Sequence, residues 1–166
     1  MSRSVDDGHN RHVQAASTSI PETLVRRTGF LLSTLGRRSR EATVRALSPL
    51  GIKPYHYGVL VVLEAVGPLP QQAVGRVLEI DKSTMTVVVD HLERTGLVER
   101  QRNPMNRRAY ELMLTDAGRQ VLAAAQPIVT KVDEEVLAPL DAGERTQLHA
   151  LLLKLLPGSG EGHDFR

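Results

Sequence analysis

The feature that most restricts the fold of this chain is the stretch DKSTMTVVVDHLERTGLVERQRNPMNRRAYELMLT, residues 81–115. It begins with apolar residues at helical spacing on one face, namely Met85, Val88, Val89 and Leu92. Gly96 follows where a glycine commonly ends a helix. The segments LVERQR and AYELMLT then alternate apolar and polar residues around the loop NPMNRR. The stretch therefore predicts a helix followed directly by an antiparallel hairpin.

A second, shorter helix is predicted immediately before this stretch. The run QQAVGRVLEI follows GPLP, and we expect its Val74, Val77 and Leu78 to point inward. A tight turn at residues 79–80 separates the two helices, and either Asp81 or Ser83 is suited to cap the second. Two short helices joined in this way are typical of a helix-turn-helix, whose second helix enters the major groove of DNA.

Longer helices are predicted on both sides. One runs from Ile20 to about Leu47, and after SPLGIKP a short apolar helix covers residues 55–66. Thr115 caps a long helix that Pro127 is expected to bend. The spacing of Asp141 and Glu144 predicts a capping box for a final, leucine-rich helix. Residues 1–19 and 158–166 are polar and are predicted to be a flexible arm and tail.

Composition supports one mainly helical domain. The chain has 166 residues, of which 41% are hydrophobic but only 3% aromatic, so the core must be built from Leu, Val and Ala. The formal net charge of +2 is too small to indicate a nucleic-acid partner. The position of the arginines is more informative, since residues 100–108 contain four arginines and no acid.

Several classes of function lack their sequence signals. With no cysteine there is no disulfide or thiolate zinc site, and no two histidines have H-x3-H spacing, so we expect neither metal nor cofactor. No nucleophile elbow, Walker loop, dinucleotide fingerprint or H-E-x-x-H motif occurs, so we expect no catalytic residues and no enzyme activity. No apolar run reaches the about 18 residues of a membrane helix, and the N-terminus lacks a signal peptide, so a cytoplasmic protein is predicted.

The predicted second helix of the helix-turn-helix carries short polar side chains near its start. Hydroxyl groups can bond to bases or phosphates, and a threonine methyl can meet the methyl of thymine. Alternatively, these Ser and Thr residues merely cap a surface helix. The candidate DNA contacts are Lys82, Ser83, Thr84, Thr86, His91 and Arg94 on this helix, with Gln71 and Gln72 on the helix before it.

The hairpin supplies the second group of candidates. Guanidinium groups at its tip can clamp phosphates or enter a minor groove, although an isolated basic turn is more often only solvated. Its position directly after a helix-turn-helix favours the DNA role. The candidate wing contacts are Arg100, Arg102, Asn106, Arg107 and Arg108.

Residues 20–157 resemble the MarR family of winged helix-turn-helix regulators. The most specific segments are DKSTMTVVVDHLERTGLVER and NPMNRRAYELMLTDAG, which are similar to the family's recognition helix, arginine-bearing wing and closing LT..G. The resemblance implies a mainly α fold with a small β wing, in which residues 51–115 form the DNA-binding region. It also implies that residues 20–50 and 116–157 form a helical dimerisation region, so that a homodimer binds a palindromic operator on double-stranded DNA. The alternative for the leucines of the terminal helices is an ordinary intramolecular bundle.

The chain departs from the family pattern at several positions. The family often has arginine at the positions of Val87 and His91 and aspartate at those of Asn103 and Asn106, so operator sequence cannot be transferred from the resemblance. Glu79 stands where the family often has glycine. If the backbone there is left-handed, a residue with a Cβ costs about 1 kcal/mol.

The resemblance also implies a small-molecule effector that releases the protein from DNA. Tyr55, His56 and Tyr57 are the residues best placed by the resemblance to line its pocket. The alternative is that Tyr57 belongs to the core and His56 to the surface. The sequence thus predicts a DNA-binding transcriptional regulator, most simply a repressor. The alternative from another class is a winged-helix module that binds a protein or a small molecule without specific DNA binding.

Overall fold

The computed structural model describes residues 20–102 and 109–156 of the chain. The described residues fold into seven α-helices and one two-stranded sheet. In chain order the elements are α1 Glu22–Val25, α2 Thr28–Leu47, a 3-10 turn Ser48–Leu50, α3 Pro54–Val66, α4 Gln71–Val77, α5 Lys82–Arg94, β1 Val98–Arg102, β2 Tyr110–Leu114, α6 Asp116–Val136 and α7 Ala142–Leu155. The predicted mainly α fold with a small β wing is confirmed. Within the described residues, no helix has both the length and the apolar character needed to cross a membrane.

Contacts divide the described residues into two compact units, with the boundary between residues 35 and 36. In the first, the helix predicted from Ile20 is interrupted: α1 ends at Val25 and α2 begins at Thr28. The prediction of one continuous helix was therefore wrong at this point. Thr28 and Gly29 are poor helix formers, and a glycine inside a helix costs about 1 kcal/mol relative to alanine, which accounts for a break beside them. The division of the chain into DNA-binding and dimerisation regions stays a prediction.

The second unit contains the hydrophobic core. It is built almost entirely from aliphatic residues of α3, α4, α5, the hairpin and α6, as the composition required. Its largest fully buried side chains are Leu47, Leu60, Met85, Leu92, Leu112, Val59, Val74, Val89 and Val98. Fully burying one such side chain contributes about 1.5–3 kcal/mol, so this core holds the helix-turn-helix and the hairpin together. Val77, predicted to point inward, is 48% exposed because α4 is a single short helix with only one face on the core.

The predicted helix boundaries rest on caps that the structure confirms. Asp81, rather than Ser83, caps α5, and Thr115 caps α6 by accepting a hydrogen bond from the Gly118 N–H at 3.0 Å. Asp141 and Glu144 form the expected capping box of α7. Pro127 lies inside α6, which continues through it.

The sheet is a two-stranded antiparallel hairpin in which Val98 pairs with Leu114 and Arg102 with Tyr110. Leu69, between α3 and α4, forms a β-bridge to Leu112 and so attaches the hairpin to the loop before the helix-turn-helix. The hairpin loop, residues 103–108, lies outside the described residues, and with it the candidates Asn106, Arg107 and Arg108.

Candidate nucleic-acid interface

The helix-turn-helix consists of α4, a turn at residues 78–81, and α5. The turn closes through the Ile80 N–H, which donates to the Gly75 carbonyl at 2.9 Å. Glu79 is the single described residue other than glycine with a positive φ, 51°. The left-handed backbone considered from the sequence is therefore present, and Glu79 carries its conformational cost.

The recognition helix α5 has one buried and one exposed face. Met85, Val88, Val89 and Leu92 are all buried, as predicted. Because these positions fix the rotation of the helix, the side chains between them must face outward. Lys82, Ser83, Thr86 and Val87 are exposed, and Val87, at 70%, is the most exposed large apolar side chain among the described residues.

The start of α5 is fixed by its cap. Asp81 Oδ1 accepts hydrogen bonds from the Ser83 and Thr84 N–H groups at 3.0 Å each. The Thr84 hydroxyl donates to Asp81 Oδ2 at 2.6 Å. These bonds, led by the one from the Thr84 side chain, hold the pKa of Asp81 below its ordinary value. Thr84 thus has a capping role, which was the alternative considered for it, and its hydroxyl proton is committed to Asp81.

Thr86 and Gln71 link the two helices of the motif. The Thr86 hydroxyl donates to the Lys82 carbonyl at 2.9 Å and accepts from Gln71 Nε2 at 3.4 Å. Gln71 and Lys82, together with Gln72, also line an open cavity of about 850 Å³ between α4 and the start of α5. This concave surface brings together the candidates Gln71 and Gln72 of α4 and Lys82 of α5.

Arg100 on β1 has side-chain partners on both helices of the motif that the sequence did not reveal. Its guanidinium group lies 2.7 Å from Glu93 Oε2 and 3.5 Å from Asp90 Oδ1, both on α5, and donates to Gln71 Oε1 at 3.0 Å. Two carboxylates therefore already engage this side chain, and the predicted contact of Arg100 with DNA stays a prediction. Arg102, two residues further on, is exposed and forms no ion pair within the described part of the chain.

His91 on α5 contacts a neighbouring helix. Its ring stacks on that of His56 from α3, with centroids 4.3 Å apart and an interplanar angle of 7°. Its Nε2 is buried without a hydrogen-bond partner among the described residues, and Arg94 Nη2 lies 3.3 Å from its Nδ1. The ring of His91 therefore packs against α3, and its predicted contact with DNA stays a prediction. Arg94 itself is exposed, and its predicted DNA role stays a prediction.

The three candidates for the effector pocket differ in their burial and in their contacts. His56 is only 5% exposed, its Nδ1 accepts from the Lys53 N–H at 3.1 Å, and burial, followed by the charges of His91 and Lys53, lowers its pKa to about 4. The alternative of a surface His56 is thus wrong. Tyr57 is half-buried, with a pKa raised by burial and by Asp133. Tyr55 is exposed and accepts a hydrogen bond from Arg40. None of the three lines the cavity beside α4.

Comparison with known proteins agrees with this architecture. The model of the MarR family matches residues 50–109. A putative transcriptional regulatory protein for the hcr operon of Thauera aromatica is 36% identical over 105 residues, 63% of each protein. A helix-turn-helix transcriptional repressor of Mycobacterium tuberculosis is 30% identical over 127 residues, which cover 76% of this chain and 91% of that repressor.

Two solved structures extend the comparison. A mutant form of Escherichia coli MarR in complex with operator DNA superposes with a TM-score of 0.72 at 28% identity, covering 78% of this chain and 93% of that one. CouR from Rhodococcus jostii RHA1 bound to p-coumaroyl-CoA gives a TM-score of 0.71 at 29% identity, with 81% and 95% covered.

This chain belongs to the MarR family. It is a DNA-binding transcriptional regulator of the winged helix-turn-helix type. Lys82, Ser83 and Thr86 are exposed polar residues near the start of the recognition helix, and Arg102 is an exposed basic residue of the wing. Sequence reasoning missed the acids that engage Arg100. The signal was present, since Asp90 and Glu93 are three residues apart and therefore share one face of α5.

Proposed function

We propose that the protein is a homodimeric repressor that places α5 in the major groove of a palindromic operator and the wing against the flanking backbone or minor groove. One observation carries the DNA-contact assignment: the apolar face of α5 is fully used by the core, whereas Lys82, Ser83 and Thr86 at its start face outward. A recognition helix contacts bases through the residues near its N-terminus. The capture of a similar protein on operator DNA supports the same use here.

The homodimer is supported by the last helix. Within a single chain, α7 has no buried residue, although Leu151, Leu152, Leu153, Leu155 and Leu156 lie on it or directly after it. A helix of this length is marginally stable without tertiary packing. A second copy of the chain that covers these leucines gives α7 the packing it lacks and joins two recognition helices in one particle, as an inverted-repeat operator requires.

Release by a small molecule is the second part of the proposal. A ligand that binds more tightly to a dimer with another spacing of its recognition helices shifts the population away from the DNA-binding form. The similar CouR binds p-coumaroyl-CoA, which supports a small-molecule effector of unassigned identity for this chain. We further propose that the protein has no catalytic activity and acts in the cytoplasm.

The test is a mobility-shift titration repeated across salt concentrations. We expect Thr86→Ala and Lys82→Ala to weaken binding and to change sequence preference. Arg102→Ala, Arg107→Ala and Arg108→Ala should weaken binding to all sequences alike and lower the salt slope by about 0.9 per lost phosphate contact. Lys131→Ala is the matched control, since it removes one exposed positive charge from α6, outside the helix-turn-helix.

Two results would contradict this assignment. If all five variants bind like the wild type, other residues form the interface. If the wild type shows no salt-sensitive binding to any duplex, the winged helix serves as a protein-binding or small-molecule-binding module instead.

A further inference from the structure

Arg100 lies at the junction of the three elements that form the proposed DNA-binding surface. It belongs to β1, its ion pairs reach Glu93 and Asp90 on α5, and its hydrogen bond reaches Gln71 at the start of α4. The contact to Glu93 is the shortest, at 2.7 Å, and both side chains are partly shielded, with 36% of Arg100 and 27% of Glu93 exposed. One guanidinium group therefore connects the wing to both helices of the motif.

The charge balance at this junction argues against a direct role for Arg100 on DNA phosphate. Two carboxylates face one guanidinium group, so the local sum is negative. Arg102 provides the contrast, because it lies two residues along β1, on the same face of the strand, and is exposed without an ion pair among the described residues. Of the two arginines, Arg102 is available for phosphate and Arg100 is occupied.

The Gln71 contact extends the effect of Arg100 to the recognition helix. Arginine can only donate hydrogen bonds, so its bond to Gln71 directs the amide oxygen toward β1. The amide NH2 group then faces the Thr86 hydroxyl, 3.4 Å away. Arg100 thus sets which end of the Gln71 amide is presented beside Thr86.

We infer that Arg100 is a positioning residue for operator recognition: through Glu93 and Gln71 it fixes the wing against α5 and orients Gln71 and Thr86, without holding phosphate itself. This inference rests on the proposed function, since it assigns a role within the DNA-binding surface.

The test is a double-mutant cycle of Arg100→Gln and Glu93→Gln, measured as operator affinity at several salt concentrations. A positioning pair predicts that each single variant weakens binding by about tenfold, and that the double variant is about as weak as either one, since charge-assisted contacts of this kind act as a unit. The salt slope of Arg100→Gln should stay at the wild-type value. Discrimination at the base pairs that respond to Thr86→Ala should also fall in Arg100→Gln.

Two further variants make the cycle specific. Glu99→Gln removes an equal negative charge from the neighbouring position of β1, where Glu99 contacts Gln101 rather than Arg100, and it should leave discrimination unchanged. Arg100→Lys keeps the charge but loses the planar fork, so a positioning role predicts that lysine does not restore binding. Unfolding midpoints near that of the wild type show that each variant is folded.

A phosphate contact predicts the opposite pattern, which would overturn the inference. Glu93→Gln would then strengthen binding by freeing Arg100, Arg100→Lys would retain most of the affinity, and Arg100→Gln would lower the salt slope by about 0.9. Additive effects of the two glutamine variants would likewise overturn it. Absence of DNA binding by the wild type would instead contradict the proposed function itself.

Discussion

The recognition helix and the last helix use their apolar residues in different ways. In α5, Met85, Val88, Val89 and Leu92 are all buried against the same chain. In α7, Leu151 and Leu155 are 51% and 69% exposed, and no residue is buried. The difference teaches that one chain is sufficient to bury the apolar face of α5, whereas the leucines of α7 stay exposed within a single chain. We propose that a second copy of the chain covers them.

The largest predicted effect is expected from substitutions that prevent a second copy from binding to α7. We expect Leu151→Lys/Leu155→Lys to convert the dimer into a monomer, because two charges cannot be buried unpaired in an apolar interface. Operator affinity should fall by at least about a hundredfold when the two lobes are no longer linked, while binding to a single half-site persists. Sedimentation velocity measures the first effect and mobility shift the second.

Thr146→Lys is the control for this change, since it adds a charge to α7 on a different face from the two leucines. A double-lysine variant that remains a dimer would show that these leucines lie outside the interface.

The second largest effect is expected where α6 packs against the hairpin. A Cβ at Gly118 would overlap the Leu97 carbonyl oxygen and lie 2.6 Å from Leu114 Cδ1, where α6 begins against the hairpin. We expect Gly118→Ala to lower the free energy of unfolding by about 3 kcal/mol, because backbone leaves little room for adjustment. Urea titration measures the change. Gly36→Ala, in α2, is the matched control, as its Cβ would meet nothing within 4 Å; equal losses in both variants would contradict the packing described here.

A smaller effect depends on pH. Burial lowers the pKa of His56 from 6.5 to about 4, so between these values the unfolded chain takes up a proton that folded His56 does not. Stability should therefore fall as the pH decreases, by about 2 kcal/mol between pH 7.5 and pH 5. The charged or titratable groups identified around His56 are Lys53 on the preceding loop and His91 with its neighbour Arg94 on α5, and none is an acid that would favour the proton.

His56→Gln removes this titration while retaining an acceptor for the Lys53 N–H. Urea unfolding across the same pH range should give a flatter profile for this variant than for the wild type. Identical profiles would show that His56 does not contribute to the acid sensitivity.

The smallest effect concerns the turn between α4 and α5. Because Glu79 has a φ of 51°, Glu79→Gly should raise the free energy of unfolding by up to about 1 kcal/mol. Glu79→Ala removes the same charge but keeps a Cβ in the left-handed region, so it should give no such gain. A gain of equal size in both variants would assign the effect to charge rather than to the backbone.

Much of the winged helix-turn-helix was predictable because its signals are local. The spacing of Met85, Val88, Val89 and Leu92, the caps at Asp81 and Thr115, and the alternation in the hairpin each depend on neighbouring residues, and the structure confirms them. Side-chain partners across elements were not predictable in this way. The sequence did not reveal that Arg100 donates to Gln71 or that His91 stacks on His56.

The amide partner of Arg100 and the ring partner of His91 are distant in sequence. Gln71 precedes Arg100 by 29 residues, and His56 reaches His91 only because α3 packs beside α5. Periodicity identifies which face of a helix is apolar, but it does not state which polar groups meet at the edge of that face.

The central claim is that two copies of this chain read one inverted repeat. The most direct measurement is selection of purified protein on a randomised duplex library, with the bound sequences read out. We predict enrichment of two inverted half-sites whose centres lie about one helical turn apart. Enrichment of a single, unrepeated half-site, or of no sequence at all, would contradict this account.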